Sequence, residues 1–453
     1  MTRLVVESAR WLFLLALVAA PWVYGSTPAW AISALVSLLA VILVLWLGGC
    51  ALRRLEPAVH PVLLRCSLCL LAGGWAMALN PHFKDMGHYT FAPVHGWFSW
   101  LPGTVDGATS RRMMLRVTVL LGICCFACDL SARRDWRRRV WRTIAGTGIS
   151  LVLFGLLQSA FAHPIFIWNQ QEMADVPYFA TYYYHGNAGS FINLVLPFVA
   201  GLAVLTSRNP DAHVAKAIWL PGAFICVAGA FVNVSRSAMV ITVLLCVVLL
   251  VWQFLGKSRH ELLPPRRLRV AYAVLMMAAV AGLVGFSGWE RPAQKWEMME
   301  SQLNSANKRL VSTKICMRML PDAHWHGFGP GTFELVFPHY SGVDAKWIPG
   351  IWRYAHDDYL QSLLEWGWFG SLFWAVLFFG GMALLFFNWR TRRNLGTSDH
   401  VLIFVCALAL TGVALHAVVD FPLQIASLQL YTAVCVGFGW GSSRWEGLVS
   451  HTT

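Results

Sequence analysis

The run SAMVITVLLCVVLLVWQFL, residues 237–255, contains no charged side chain. A helix needs about 20 apolar residues to cross the roughly 30 Å hydrocarbon layer of a bilayer, and this run is long enough to do so. Further runs of similar length occur along the chain, so the sequence predicts about twelve transmembrane helices. The others centre on residues 11–28, 30–50, 61–79, 113–130, 141–162, 188–206, 217–233, 270–287, 367–387, 401–418 and 422–440.

The composition argues against a water-soluble protein. Of 453 residues, 57% are hydrophobic and only 13% are charged, which is too apolar for a single soluble core. We therefore predict an all-α polytopic membrane protein. The first run is interrupted by Pro21 and Gly25 and resembles a signal-peptide core, but a second span follows at once. We interpret it as an uncleaved first helix.

The formal net charge of +13 is distributed unevenly along the chain. With the N-terminus placed in the cytoplasm, the cytoplasmic segments hold most of the Lys and Arg, including Arg137-Arg138-Arg139. This asymmetry predicts that both termini are cytoplasmic and that the one long loop faces outward. Attraction to anionic lipid accounts for the charge, so we expect membrane lipids and no nucleic acid as partners. No Walker sequence is present, so direct use of ATP is not expected.

The spans divide the chain into three parts: helices 1–9 in residues 1–286, an outer loop in residues 287–366, and helices 10–12 in residues 367–453. Within the loop, apolar spacing over Trp296–Leu320 predicts an amphipathic helix that ends before Pro321. A second helix should begin near His356. The Gly-rich turn Gly327–Phe333 would join the two, so that the loop forms a lid over the bundle.

His356 is the strongest candidate for catalysis in the loop. Imidazole can take a proton from a hydroxyl at neutral pH, and Asp357 and Asp358, which follow at once, could orient the ring. A histidine that only caps a helix would show the same pattern. Asp420 and Gln424 lie where the last two spans meet on the outer side, and the acidic residue is interpreted as bracing the loop, with a place in a proton path as the alternative.

Two arginines could bind an anionic head group at the membrane surface. Arg236 lies in the very short outer turn between the seventh and eighth spans, and Arg309 lies on the first loop helix beside Lys308. Two guanidinium groups can clamp a diphosphate and stabilise it as it leaves. A snorkelling Arg236 and a solvated Arg309 are the alternatives.

Metal and thiol chemistry have weak support. All but one of the 11 cysteines fall in or against predicted spans, and Cys316 is the exception. His324, His326 and His339 lack the spacing of a metal site, so we expect neither a metal nor a cofactor. A cysteine protease that uses Cys316 would need an exposed nucleophile, but the residue falls on the apolar side of its helix.

The Ser-Arg-Ser turn at Arg236, the turn Gly327-Phe-Gly-Pro-Gly331 and the segment His356-Asp-Asp-Tyr-Leu-Gln361 together resemble the O-antigen ligase and polymerase superfamily, the WaaL- and Wzy-like membrane proteins. The resemblance is clearest over residues 220–375. Asp357 departs from it, since similar members carry Asn there. Asn187 to Pro197 also look like the family.

The resemblance implies a GT-C-like bundle of about twelve helices in the bacterial inner membrane, with a large, partly helical periplasmic loop. Such enzymes are inverting glycosyltransferases that move a saccharide from an undecaprenyl-diphosphate carrier to an acceptor hydroxyl on lipid A-core, a growing glycan or a protein. Carried over, His356 activates the acceptor, while Arg236 and Arg309 hold the diphosphate. The residues expected to contribute to substrate binding are Lys308, Asp357, Asp358, Tyr359, Tyr184 and Asn187. A transporter or lipid-linked glycan flippase is the alternative function.

Overall fold

The computed structural model describes residues 2–54, 56–87, 90–94, 96, 98, 100–160, 178–207, 209, 211–255, 299–347, 350–392 and 394–445. The described residues are almost entirely helical. The α-helices are α1 Thr2–Trp22, α2 Ala29–Arg53, α3 Pro61–Leu79, α4 Gly107–Ser131, α5 Arg134–Ala160, α6 His185–Ser207, α7 His213–Val232, α8 Arg236–Leu255, α9 Met299–Ala323, α10 Phe333–Ser341, α11 Asp358–Thr391, α12 Thr397–Ala417 and α13 Ala426–Gly441.

Short elements complete the described structure. Four 3-10 turns lie at Tyr24–Ser26, Gly342–Trp347, Pro422–Gln424 and Ser442–Arg444. One antiparallel hairpin pairs β1 Phe83–Asp85 with β2 Phe91–Pro93, with Lys84 opposite Ala92. The hairpin lies between α3 and α4, in a segment that the sequence leaves without a predicted span.

The predicted spans agree with the described helices. Nine helices, α1–α7, α11 and α12, are long and apolar enough to cross a membrane, while α8 and α13 contribute shorter apolar helices at predicted spans. The predicted span at 270–287 lies outside the described residues. An all-α polytopic membrane protein is therefore confirmed.

The helices pack around a buried centre. α6 and α12 are buried over most of their lengths. α2, α3, α8 and α11 instead expose large apolar side chains, such as Val44, Leu68, Val243 and Phe387. Exposed apolar faces of this kind suit helices at the rim of a bundle in lipid.

The loop differs from its prediction in two ways. α9 confirms the first helix over its described part, but it continues past Pro321 to Ala323. Pro321 lies two residues before the end of α9, so its missing N–H and its ring affect only the last turn of the helix. The expected end before Pro321 was therefore wrong. Between α9 and α11 the chain also forms α10 and the turn Gly342–Trp347, where we had predicted only a connection.

The second loop helix and the tenth span form one element, α11, with a sharp break at Gly367. Gly367 has φ 63° and ψ −172°, a conformation that favours glycine. Ser362 Oγ and Ser371 Oγ lie 2.9 Å apart although nine positions separate them. In an unbroken helix they would be about 13 Å apart along the axis, so the helix folds back on itself here.

The Gly-rich turn closes the broken end of α11. The amides of Phe328 and Gly329 donate to the carbonyls of Leu364 (2.8 Å) and Glu365 (3.1 Å), and the amide of Phe369 donates to Trp325 O (3.3 Å). The Glu365 side chain also accepts a hydrogen bond from Gly331 N at 2.9 Å. The turn therefore supplies partners for backbone groups that the break leaves open.

Candidate active site

The segment between α12 and α13, residues 418–425, connects the parts of the site, and we call it the junction loop. It lies on the side of the bundle that carries α9 and α10, which we call the loop side. Arg309 Nη1 donates to Val419 O at 3.0 Å. At the other end, Leu423 N donates to Asp358 at 2.8 Å, and Arg116 Nη2 donates to Gln424 O at 2.6 Å.

His356 lies against the middle of the junction loop. Its Nδ1 is 3.3 Å from Asp420 Oδ1, which is within ion-pair distance but without the angles of a hydrogen bond. The Asp420 side chain is only 2% exposed, whereas that of His356 is 22% exposed. A carboxylate on this side favours a proton on Nδ1 and leaves the lone pair of Nε2 for a substrate.

The backbone at His356 has an unusual conformation. His356 has φ 57°, in the left-handed region, directly before Asp357 caps α11. Histidine enters this region more readily than most residues, yet it is uncommon there. Strained residues of this type occur often at functional sites.

Aromatic rings surround the imidazole. The ring centroid of Phe421 lies 4.7 Å away, that of Trp352 lies 5.3 Å away, and that of Tyr184 lies 6.4 Å away, each close to perpendicular. These rings limit the water that reaches His356 and restrict the directions from which a substrate hydroxyl could approach it.

The two acidic residues after His356 hold the backbone. Asp357 Oδ1 accepts a hydrogen bond from Leu360 N at 3.0 Å and caps α11. Asp358 is 3% exposed and binds both Leu423 N and Gln424 Nε2, the latter at 2.9 Å. Among the described residues the carboxylate against the imidazole is that of Asp420, while those of Asp357 and Asp358 accept hydrogen bonds elsewhere. Tyr359 donates to Ala414 O at 2.9 Å.

Arg309 is connected to the His356 pair through Tyr184. Arg309 Nη2 donates to Tyr184 Oη at 3.2 Å, and the Tyr184 side chain lies beside the Asp420 carboxylate. Burial, and then the charge of Asp420, raise the pKa of Tyr184 above its ordinary value, so its hydroxyl keeps its proton at neutral pH. The site therefore contains a continuous row of contacts. It runs from the guanidinium of Arg309 through the phenol of Tyr184 and the carboxylate of Asp420 to the imidazole of His356.

Gly186 allows this approach. A Cβ at Gly186 would collide with Asp420 Oδ2 and with the ring of Tyr184. The first turn of α6 therefore lets the junction loop come close to it because it carries no side chain at this position.

Arg236 is the first residue of α8 and is half-buried. Its turn packs on the same first turn of α6, since Asn233 Nδ2 donates to His185 O at 2.8 Å. A Cβ at Gly189 would lie 2.9 Å from that amide nitrogen. The segments that carry Arg236 and Asp420 therefore both pack against the N-terminal turn of α6.

The remaining predicted residues lie around this centre. Lys308 is exposed on α9 beside Arg309. Asn187 is buried in the first turn of α6, and its Oδ1 has no hydrogen-bond partner among the described residues. Cys316 is fully buried, and burial raises the pKa of its thiol to about 12, which contradicts a nucleophilic role.

Sequence reasoning missed two groups at the site. Arg116 is buried in α4, and its side chain contacts the junction loop. A lone cation inside the predicted span 113–130 could have marked it as a functional residue. Trp352 stands beside His356 in a loop segment with no periodicity to mark it. Within the described part of the chain, no three His, Cys, Asp or Glu residues are grouped to hold a metal ion.

A comparison with curated proteins found no match. Residues 221–375, from α7 through the loop into α11, match the family model described as O-Antigen ligase. This segment contains Arg236, Arg309 and His356, while Asp420 and Tyr184 come from outside it. The match over residues 221–375 and the helical architecture support the resemblance to the O-antigen ligase and polymerase superfamily.

Proposed function

We propose that this protein transfers an oligo- or polysaccharide from an undecaprenyl-diphosphate carrier to an acceptor hydroxyl at the periplasmic face of a bacterial inner membrane. The observation that carries the proposal is the contact of His356 with the buried Asp420, beside Arg309 and within reach of the loop side. The uneven distribution of basic residues supports a periplasmic loop side and cytoplasmic termini.

His356 acts as the general base in this reaction. Nε2 takes the proton of the acceptor hydroxyl, and the acceptor oxygen then attacks the anomeric carbon of the donor sugar. The bond from that carbon to the diphosphate oxygen breaks, and its electron pair leaves with the lipid diphosphate. Attack opposite the leaving group inverts the configuration at the anomeric carbon. Asp420 stabilises the imidazolium that forms.

The arginines bind the leaving diphosphate. Arg309 uses two of its five N–H donors on Val419 and Tyr184, which fix the side chain and leave donors for phosphate oxygens. Arg236 supplies a second guanidinium from the end of α8. Two fixed cations stabilise the charge that develops as the diphosphate departs. Lys308 adds a positive charge at the exposed edge of α9.

Two pairs of variants test this function with purified protein and a lipid-diphosphate oligosaccharide. His356→Ala should lower the transfer rate by about 10²- to 10⁴-fold, because the general base is lost. Its control His339→Ala removes an exposed loop histidine and should change little. Arg236→Ala should also abolish transfer, whereas Arg318→Ala, on α9 but half exposed, should not.

Near-normal product from His356→Ala or Arg236→Ala would contradict the mechanism. Movement of the lipid across vesicles without a new glycosidic bond would instead support a flippase. A ladder of lengthening products identifies a polymerase, and a single capped acceptor identifies a ligase.

A further inference from the structure

Asn193 is a completely buried polar residue in the apolar helix α6. Its amide nitrogen donates to Ala238 O in α8 at 3.0 Å and lies 2.9 Å from Nε2 of His416 in α12. Its amide oxygen accepts a hydrogen bond from Thr242 Oγ1, also in α8, at 2.6 Å. His416 and Thr242 are completely buried as well. The side chain of Asn193 therefore joins α6, α8 and α12 by hydrogen bonds inside the bundle.

The partners of Asn193 determine the orientation of its amide. A backbone carbonyl can only accept a hydrogen bond, so the atom that faces Ala238 O is the amide nitrogen. The same nitrogen can only donate to His416, so Nε2 of that ring carries no proton and the ring is neutral. The two N–H groups of the amide thus bind in two directions, one to α8 and one to α12.

The bond to α12 is connected to the base through the junction loop. His416 lies in the last turn of α12, and its carbonyl oxygen accepts hydrogen bonds from the amides of Val419 at 3.0 Å and Asp420 at 2.9 Å. Val419 O in turn binds Arg309, and the Asp420 carboxylate lies beside His356. The position of His416 therefore determines where the junction loop begins.

The bonds to α8 are connected to the second cation. Ala238 lies two residues after Arg236, in the first turn of α8, and Thr242 lies one turn further along. A Cβ at Gly189 of α6 would collide with the Ala238 side chain, so the two helices are in close contact here. Hydrogen bonds between helices hold them in register, so Asn193 fixes the start of α8 relative to α6.

We propose that Asn193 is a positioning residue that sets the separation between Arg236 and the pair formed by His356 and Asp420. The inference rests on the proposed function, in which Arg236 binds the leaving diphosphate and His356 activates the acceptor. The attacking and leaving oxygens lie on opposite sides of the anomeric carbon, so the base and the cation must keep a fixed distance. A displacement of about 1 Å can lower a rate by about 100-fold. Because Asn193 is completely buried, it acts through α8 and α12.

Asn193→Leu tests the proposal by replacing the amide with an apolar group of similar size. We expect the maximal transfer rate to fall by about 10- to 100-fold with little change in the KM for the donor, because the binding groups are displaced and not removed. The matched control is Asn388→Leu. Asn388 is also buried, and its amide donates to Ser442 Oγ at 2.8 Å at the far end of α11. An equal loss of rate per folded protein in both variants would overturn the proposal.

His416→Gln is the conservative variant of the partner residue. The glutamine carbonyl oxygen can replace Nε2 as the acceptor for Asn193, so this variant should keep most of the rate, whereas His416→Leu should lose as much as Asn193→Leu. Loss of transfer in His416→Gln would assign proton transfer to the ring and would contradict a positioning role. An unchanged rate in His416→Leu would contradict it too.

A double-mutant cycle with Arg236→Lys shows whether Asn193 acts through the cation. Lysine keeps the charge but loses the planar fork of donors, so this variant should have a lower rate that is still measurable. Asn193→Leu should lower the rate by a smaller factor in Arg236→Lys than in the unmodified protein, because the two substitutions affect the same interaction. Equal factors in the two backgrounds would refute the proposal.

A distance measurement separates this inference from the proposed function. Spin labels at Val240→Cys on α8 and Val418→Cys after α12, both exposed positions, report the separation of the two segments without any reaction. The native cysteines that are not buried are first replaced by serine. Asn193→Leu should shift or broaden the distance distribution, and Asn388→Leu should leave it unchanged. An unchanged distribution in Asn193→Leu would overturn the inference, whereas a shift in a protein that transfers no saccharide would contradict only the proposed function.

Discussion

His356 shows what a single residue contributes to the site and what the sequence could reveal of it. Its chemistry and its place beside the two acidic residues were visible in the sequence. Its left-handed backbone and the carboxylate of Asp420 beside it were not, because both depend on the folded arrangement of distant segments. The sequence could mark His356 as a candidate base but could not show that Asp420 lies beside it.

Asp420→Asn tests the role of that partner at the scale of one residue. The amide keeps the shape but cannot stabilise an imidazolium, so we expect the maximal rate to fall by about 100-fold with little change in the KM for the donor. The transfer rate of the purified protein, measured over a range of donor concentrations, separates the two quantities.

Asp357→Asn is the matched control for this variant. The Asp357 side chain caps α11, and asparagine caps helices about as well as aspartate. An unchanged rate in Asp420→Asn, or an equal loss in Asp357→Asn, would contradict the assignment of Asp420 as the positioning residue.

At the scale of the element, the broken helix α11 and the Gly-rich turn belong together. The glycine motif was visible in the sequence, but its role was not. These glycines are needed because another main chain comes close to them in the folded protein. A Cβ at Gly327 would lie 2.5 Å from the Glu365 carbonyl group, and Gly327 also has φ 81°. Only the folded chain shows that two motifs far apart in sequence touch along their main chains.

Gly327→Ala should therefore destabilise the protein strongly. The side chain would push the turn away from Leu364 and Glu365, and we expect a clear drop in the thermal unfolding temperature together with loss of transfer. Gly350→Ala is the control, since Gly350 has φ 95° but no neighbour within 4 Å of its added Cβ. Gly350→Ala should therefore show only the backbone cost of a positive φ, about 1 kcal/mol of unfolding free energy, without a clash. Similar unfolding temperatures for the two variants would contradict the close-contact explanation.

At the scale of the whole molecule, the predicted spans within the described residues agree with helices, but their arrangement could not be read from the sequence. Core and lipid are both apolar, so a buried helix and a rim helix have similar compositions. α6 is almost entirely buried and α2 is largely exposed, yet both are long apolar runs. Contacts between polar residues show better than apolar composition which helices are neighbours, but only a few positions in the chain make such contacts.

One such contact lies at the end of the bundle away from the site. Asp399, at the start of α12, is 3.0 Å from Arg137 Nη2, and both side chains are at most 3% exposed. The Arg137 guanidinium also lies 4.3 Å from the ring centroid of Trp445. A buried pair of this kind ties α5, α12 and the segment after α13 together.

Asp399→Ala should cost about 3–5 kcal/mol of unfolding free energy, because it leaves Arg137 buried without its partner. Arg134→Ala removes a second, half-exposed cation 3.6 Å from the same carboxylate and should cost less than about 1 kcal/mol. Thermal unfolding of both variants in detergent measures the difference. A small loss in Asp399→Ala would contradict the importance of this contact, and transfer by the folded fraction should persist in both.

The break at Gly367 also joins the membrane to the chemistry. α11 has two arms joined at this break: the short arm begins beside His356, and the long arm exposes apolar side chains on its outer face. In a bilayer, the tilt of the long arm would depend on the thickness of the hydrocarbon layer, and the Gly-rich turn holds the two arms together. We therefore expect bilayer thickness to affect the geometry at His356, and transfer rates in vesicles of different acyl-chain length test this.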